Sequence, residues 1–156
     1  MLSAQSTEAR ASVTVNAPPE KAFEVFTSGI GSWWPRSHHL GEAELTTVVI
    51  EPRAGGRWHE RTADGAECDW GEVLEWEPPQ RLVLSWRIGT TWRLEDDPSR
   101  ASVVEVEFAP DGADGTTVTL VHTRLDRHGD DWPAMRDAVA GDGGWPGVLQ
   151  AYAAAC

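Results

Sequence analysis

Lysine occurs once, at Lys21, and all 13 basic residues are set against 25 acids, a formal charge of −12 over 156 residues. An excess of negative charge on this scale repels phosphate backbones and anionic lipid headgroups. The arginines form no stripe, so neither nucleic acid nor a membrane surface is expected as a partner. No apolar run approaches the ~20 residues of a bilayer span, and residues 1–10 lack the hydrophobic region of a signal peptide. Cysteine occurs twice, at Cys68 and at the last residue, Cys156. Two cysteines so placed make a poor disulfide framework, and the expected compartment is the reducing cytoplasm. There is no Cys-x-x-Cys, no His-Glu-x-x-His on a helix and no Gly-x-Ser-x-Gly elbow, so neither a metal nor a nucleophilic hydrolase is expected. Gly141-Asp142-Gly143-Gly144 follows a helix pattern instead of a strand, and Asp142 would repel a phosphate, so no nucleotide cofactor is expected either.

What the chain has in quantity is tryptophan: nine of its 13 aromatic residues, against one tyrosine and three phenylalanines. They stand at Trp33, Trp34, Trp58, Trp70, Trp76, Trp86, Trp92, Trp132 and Trp145, most of them in or beside short alternating apolar segments. Each indole buries about 150–250 Å² and needs a polar partner for its N–H. Plain core packing accounts for part of this set. The wall of a ligand cavity accounts for the rest.

At this length the chain suits one core, expected over residues 11–155, behind a flexible N-terminus over residues 1–10. Ala11–Val15 alternates as a strand, and Asn16-Ala17-Pro18-Pro19-Glu20 stops it and opens a helix with Ala22, Phe23 and Phe26 on one face. Gly29 and Gly31 interrupt this helix, and Trp33-Trp34-Pro35 closes a second short one. Strands follow over 45–51, 57–62, 68–76, 81–87, 102–108 and 116–123, joined by short Gly, Pro and Asp turns, which predicts an antiparallel meander. Residues 132–139 read as a helix, and a final helix from Trp145 to Ala155 puts Trp145, Val148, Leu149 and Tyr152 at i, i+3, i+4 and i+7. Strand, two short helices, six strands and a long helix make an α+β fold, one helix across a strongly bent six- to seven-stranded sheet.

Five segments in this order resemble a known family. They are Asn16-Ala17-Pro18-Pro19-Glu20-Lys21-Ala22-Phe23, Glu51-Pro52-Arg53-Ala54-Gly55-Gly56-Arg57-Trp58, Asp69-Trp70-Gly71-Glu72-Val73-Leu74-Glu75-Trp76-Glu77-Pro78-Pro79, Arg81-Leu82-Val83-Leu84-Ser85-Trp86, and Gly144-Trp145 ahead of Leu149. Together they resemble the activator-of-chaperone-ATPase homologue (AHSA1-like) branch of the START/Bet v 1, or SRPBCC, superfamily. The resemblance implies a helix-grip fold: a curved antiparallel sheet around a C-terminal helix, with a cavity between. It implies ligand binding or cavity catalysis of cyclase, dehydratase or isomerase type, and its name alone suggests a chaperone partnership. The matched glycines and prolines set the fold and carry no catalytic group.

Strand parity and the inward stripes of the helices nominate the cavity wall. Trp33, Trp34, Trp58, Glu60, Trp70, Leu84, Trp86, Val106, Leu120, His122, Trp145, Leu149 and Tyr152 are expected to face inward. Glu72 shares parity with Leu74 and Trp76 and is a second inward carboxylate by the same rule. The candidates for acid–base work are Glu60 with His122 or His38. His38 and His39 are adjacent, and in an extended stretch at most one would face inward. The expected ligand is a small hydrophobic or aromatic molecule; a homodimer burying spare tryptophans is the further alternative.

Overall fold

A computed structural model describes residues 7–95 and 97–156 of the chain. Seven strands form one antiparallel sheet: β1 (Ala9–Val15), β2 (Leu45–Ile50), β3 (Arg57–Thr62), β4 (Glu67–Glu77), β5 (Arg81–Trp86), β6 (Ser102–Asp111) and β7 (Gly115–Thr123). Their order, β1-β7-β6-β5-β4-β3-β2, is a meander with the first strand returned to the edge beside the last. Four helices complete the fold: α1 (Pro19–Phe26), α2 (Ile30–Trp33), α3 (Trp132–Ala140) and α4 (Trp145–Ala155). This is the α+β arrangement that the strand and helix patterns predict, and the helix-grip that the family resemblance implies. No helix among the described residues is long and apolar enough to cross a membrane.

Local chemistry explains the elements. Pro19 opens α1 with Glu20 in its first turn, where fixed φ and negative charge both suit a helix start. The buried stripe of α1, Ala22, Phe23 and Phe26, meets β6 and α4: Phe23 lies 5.1 Å from Phe108 and Phe26 5.1 Å from Tyr152, ring centre to ring centre. Along α4, Trp145, Val148, Leu149 and Tyr152 are buried, while Gln150 and Ala154 are exposed, as the spacing requires. The inward faces of β5, β6 and β7 supply Leu82, Leu84, Trp86, Val104, Val106, Phe108, Val118, Leu120 and His122, all buried.

Three sequence readings change in the structure. The first strand begins at Ala9, taking in residues placed in a flexible N-terminus; the rest of that expected segment, residues 1–6, lies outside the described residues. The expected six-residue turn from Pro110 to Gly115 shrinks, because the β6–β7 ladder continues to the pair Asp111 and Gly115. Gly112 takes the left-handed φ of +72° that the shorter turn demands. Glu72 and Leu74 face outward and are exposed. Pairing register shifts between Trp58 and His59 in β3–β4, and again between Val73 and Glu75 in β4–β5. A bulge exchanges the two faces of a strand, so parity counted across it assigns Glu72 to the wrong side.

Candidate functional site

At one end of the sheet the indoles form a continuous cluster. Trp34 lies 5.2 Å from Trp70, 6.4 Å from Trp58 and 6.2 Å from Trp145, and Trp86 lies 5.6 Å from Trp58 and 5.3 Å from Trp145. These tilted and edge-on contacts fall within the favourable range for aromatic pairs. Most of the indole N–H groups are spent inside the protein. Trp33 donates to the Val25 carbonyl at 2.7 Å, Trp34 to the His38 carbonyl at 2.8 Å, and Trp86 to the Ile88 carbonyl at 2.9 Å. Trp70 donates to Glu60 Oε1 at 2.8 Å and Trp145 to His122 Nδ1 at 3.0 Å. Trp58 Nε1 is buried without an acceptor among the described residues.

A pocket of about 350 Å³ opens against this cluster, bounded by Trp34, Ser37, His38, His39, Leu40, Trp70, Trp86, Ile88, Trp92 and Gly143. A recess of about 70 Å³ shares Trp34, His38, Trp86, Trp92 and Gly143, and reaches Trp145, Val148 and Val139 where α3 meets α4. Trp92 forms the lip. It is 49% exposed and sits at a φ of +59° in the loop after β5. Of the residues nominated from sequence, Trp34, Trp70, Trp86 and His38 border the main pocket and Trp145 borders the recess. Trp33, Trp58, Leu84, Val106, Leu120, Leu149 and Tyr152 are packed in the core instead, with the Tyr152 hydroxyl donating to the Ala22 carbonyl at 2.7 Å. His38 and His39 both reach the pocket: the His38 N–H bonds the Pro35 carbonyl at 3.0 Å, and this turn breaks the alternation expected of an extended stretch.

The polar groups sort into three separate sets. Glu60 is 1% exposed and receives three N–H donors: Leu40 N at 2.6 Å and Trp70 Nε1 on Oε1, and Gly41 N at 2.9 Å on Oε2. A Cβ at position 41 would stand 3.0 Å from Oε2 and 2.8 Å from Thr62 Cγ2, so the close approach of this loop requires glycine. His39 Nδ1 lies 3.9 Å from Glu60 Oε2, is buried, and has no hydrogen-bond partner among the described residues. His38 stands apart, with Nε2 at 2.8 Å from the Gly143 carbonyl and Nδ1 at 3.0 Å from the Ser37 hydroxyl.

The third set is a chain inside the core. The Trp145 indole N–H requires a bare Nδ1 on His122, so the proton of that neutral ring sits on Nε2 and is donated to Ser102 Oγ at 2.7 Å. The Ser102 hydroxyl is then free to donate to His128 Nε2, also at 2.7 Å, leaving Nδ1 of that ring facing Glu95 at 3.5 Å. Burial in an apolar site, and then the charge of His128, hold His122 down at about 3, so it is neutral in ordinary conditions. Burial also lowers His128, against the pull of Glu95. Among the described residues no hydrogen bond or ion pair joins Glu60 to His122 or to His38; the histidine beside Glu60 is His39. Nor do three His, Cys, Asp or Glu side chains gather there as a metal site.

Ser37, Leu40, Ile88, Trp92 and Gly143 border the pocket without having been nominated from sequence, and His39, weighed there as one of an adjacent histidine pair, borders it beside His38. They lie in loops, where periodicity carries no information. The one available signal was a large aromatic, Trp92, set among the polar residues Thr90, Thr91 and Arg93 in a connecting segment.

The chain is similar to known proteins over most of its length. Residues 16–153 match the family model described as Activator of Hsp90 ATPase homolog 1-like protein. The anthrahydroquino-γ-pyrone synthase Txn09, solved as a complex, is 43% identical over 96% of both chains, with a TM-score of 0.67. The self-sacrificing resistance protein CalC from Micromonospora echinospora is 31% identical over 95% of this chain and 92% of its own, with a TM-score of 0.65. A third structure, protein MLL2253 from Mesorhizobium loti, is 20% identical over 94% of each chain with a TM-score of 0.66, and shows the fold alone. No curated protein matches the chain.

Proposed function

The chain belongs to the Activator of Hsp90 ATPase homolog 1-like family, and on that footing we propose that it binds a planar, fused-ring aromatic small molecule in the tryptophan-walled pocket. The observation that carries this reading is the wall itself: Trp34, Trp70, Trp86 and Trp92 border about 350 Å³, the first three buried with their N–H groups engaged inside the protein and Trp92 49% exposed at the lip. Concave sites of roughly 300–1,000 Å³, mostly apolar with a few polar groups, are the usual places for small ligands. Stacking on such walls suits rings and gives little to flexible chains. The name of the 43%-identical neighbour denotes a fused, oxygenated ring system, which fits the same shape.

Titrating the intrinsic tryptophan fluorescence with naphthalene- and anthracene-based probes tests the reading. Saturable quenching is expected, weakened by Trp86→Phe or Trp92→Ala; absence of saturation with every probe overturns it. That neighbour's name as a synthase also favours a second reading, catalysis on the bound ring, which product analysis after incubation with a candidate ring-closure substrate would detect. Chaperone partnership and homodimerisation draw support from the family name and the tryptophan count only. The exposed large apolar side chains among the described residues, Leu74 and Trp92, border different cavities.

A further inference from the structure

We propose that His39 is the proton acceptor of the pocket, taking the proton of a hydroxyl on the edge of the bound ring, with Glu60 as the residue that positions it. The inference rests on the pocket reading above and adds to it a ligand chemistry: the ring carries a phenolic O–H donor at the His39 end.

The argument is a count of lone pairs. His39 Nδ1 is buried at 3.9 Å from Glu60 Oε2 and has no other partner among the described residues. A nitrogen lone pair aimed at a carboxylate is repelled and an N–H is attracted, so the proton of the neutral ring belongs on Nδ1 and the basic lone pair on Nε2. Nε2 has no partner among the described residues and is not among their buried unpartnered atoms, so it lies on the accessible edge, where His39 borders the pocket. Glu60 is well fixed for this task. Three of its roughly four lone-pair directions are filled by N–H groups, two of them from Leu40 and Gly41, the residues that follow His39. The carboxylate that faces the imidazole therefore also pins the loop that carries it. The 3.9 Å gap is longer than a hydrogen bond, and such catalytic contacts commonly tighten only when the ligand is in place.

The other polar groups on the wall fix the sense of the interaction. The Gly143 carbonyl can only accept, so Nε2 of His38 donates to it and Nδ1 takes the Ser37 hydroxyl; His38 has no free nitrogen. The N–H groups of Trp34, Trp70 and Trp86 are engaged as well. Among its polar side chains, the pocket presents a pair of acceptors, His39 Nε2 and Ser37 Oγ. A hydroxyl matches them; a quinone carbonyl or an ether does not. In the step, the phenolic O–H bond breaks, its proton passes to Nε2, the electron pair stays on oxygen as phenolate, and the imidazolium so formed stands against Glu60. No further reactant is needed.

2-Naphthol and 2-methoxynaphthalene differ in that one donor and test the assignment directly. Naphthol also becomes a strong acid when excited, so the naphtholate emission of the bound probe, excited to the red of tryptophan, reports a base in contact with its hydroxyl. The wild type is expected to bind naphthol about tenfold more tightly than its methyl ether, the size of one net hydrogen bond, and to show the naphtholate band. His39→Phe is expected to keep the methyl ether's affinity within about threefold while losing both the preference and the band, and His39→Gln, whose amide oxygen can accept the hydrogen bond but not the proton, to lose the band. Equal wild-type affinity for the two probes, or a preference and band that survive the His39 substitutions, overturns the assignment and leaves the pocket reading standing. Binding of neither probe overturns the pocket reading. Should both variants fail to fold, the wild-type comparison alone decides.

Discussion

Acid should weaken this fold through one side chain in particular, His122. It is fully buried, neutral, and held at about 3 by burial and by the neighbouring charge of His128. Unfolded, the same imidazole titrates near its ordinary value of 6.5. A group whose folded value is depressed contributes stability that is complete above the unfolded value and is lost as the pH falls toward the folded one. At pH 7 almost nothing is lost. At pH 5 the unfolded chain holds a proton that the folded chain refuses, and RT ln[(1 + 10^1.5)/(1 + 10^−2)] gives a loss of about 2 kcal/mol, out of an overall stability of roughly 5–15 kcal/mol. The carboxylates, His59 and His128 also titrate, so the wild-type curve alone does not isolate the term. His122→Gln does. Its amide can accept the Trp145 N–H and donate to Ser102, as the neutral ring does, but it cannot ionise. Urea melts of both proteins at pH 7.5 and pH 5 should show the variant less stable at the higher pH, with the gap closing by about 2 kcal/mol at the lower. A gap that stays constant between the two would mean that His122 is not buried neutral in the folded state, and that the Trp145-to-Glu95 chain is assembled differently.

Three further substitutions test other parts of the structure. Glu60→Gln puts an amide donor where three N–H groups already point, and should cost about 3 kcal/mol by thermal melting, a loss too large for an exposed carboxylate. Trp145→Ala removes a 4%-exposed ring together with the partner of His122, and should cost about 3–5 kcal/mol; calorimetry would read it directly. Trp92→Ala trims an exposed lip, so stability should stay within about 0.5 kcal/mol while probe affinity falls several-fold. Unchanged affinity would remove Trp92 from the site.

The fold was legible because its signals are periodic. Alternation in β5 to β7 put Leu84, Trp86, Val106, Leu120 and His122 on one face, and the 3.6-residue stripe of α4 put Trp145, Leu149 and Tyr152 against them, as the structure has it. Periodicity failed where the ladder does. The bulges beside Trp58 and Val73 turned Glu72 and Leu74 to solvent; the first was announced only by Gly71, a glycine inside a strand, and the second by no residue type at its position. A bulge comes from how two strands fit, a property of the pair and not of either segment.

The site was less legible, for a related reason. Parity says which side chains point inward, but not whether they meet one another or a cavity. Most of the thirteen nominated residues are inward and are consumed by core packing; the pocket lies at the end of the sheet, where loops supply most of its wall. The acid–base pairing shows the same limit. Glu60 and His122 are both buried on the inner face, so sequence alone couples them, yet each is committed to different partners. His122 is tied by Trp145 and Ser102 into a chain that orients the indoles. Glu60 is claimed by a loop twenty residues earlier, through backbone N–H groups that carry no residue-specific mark. Gly41 was the one legible trace of that contact, since only a residue without Cβ lets the loop come this close to the carboxylate. Once that contact is made, the histidine beside Glu60 is fixed by chain connectivity: Leu40 and Gly41 bind the carboxylate, so the side chain that reaches it from the pocket is that of the residue before them, His39.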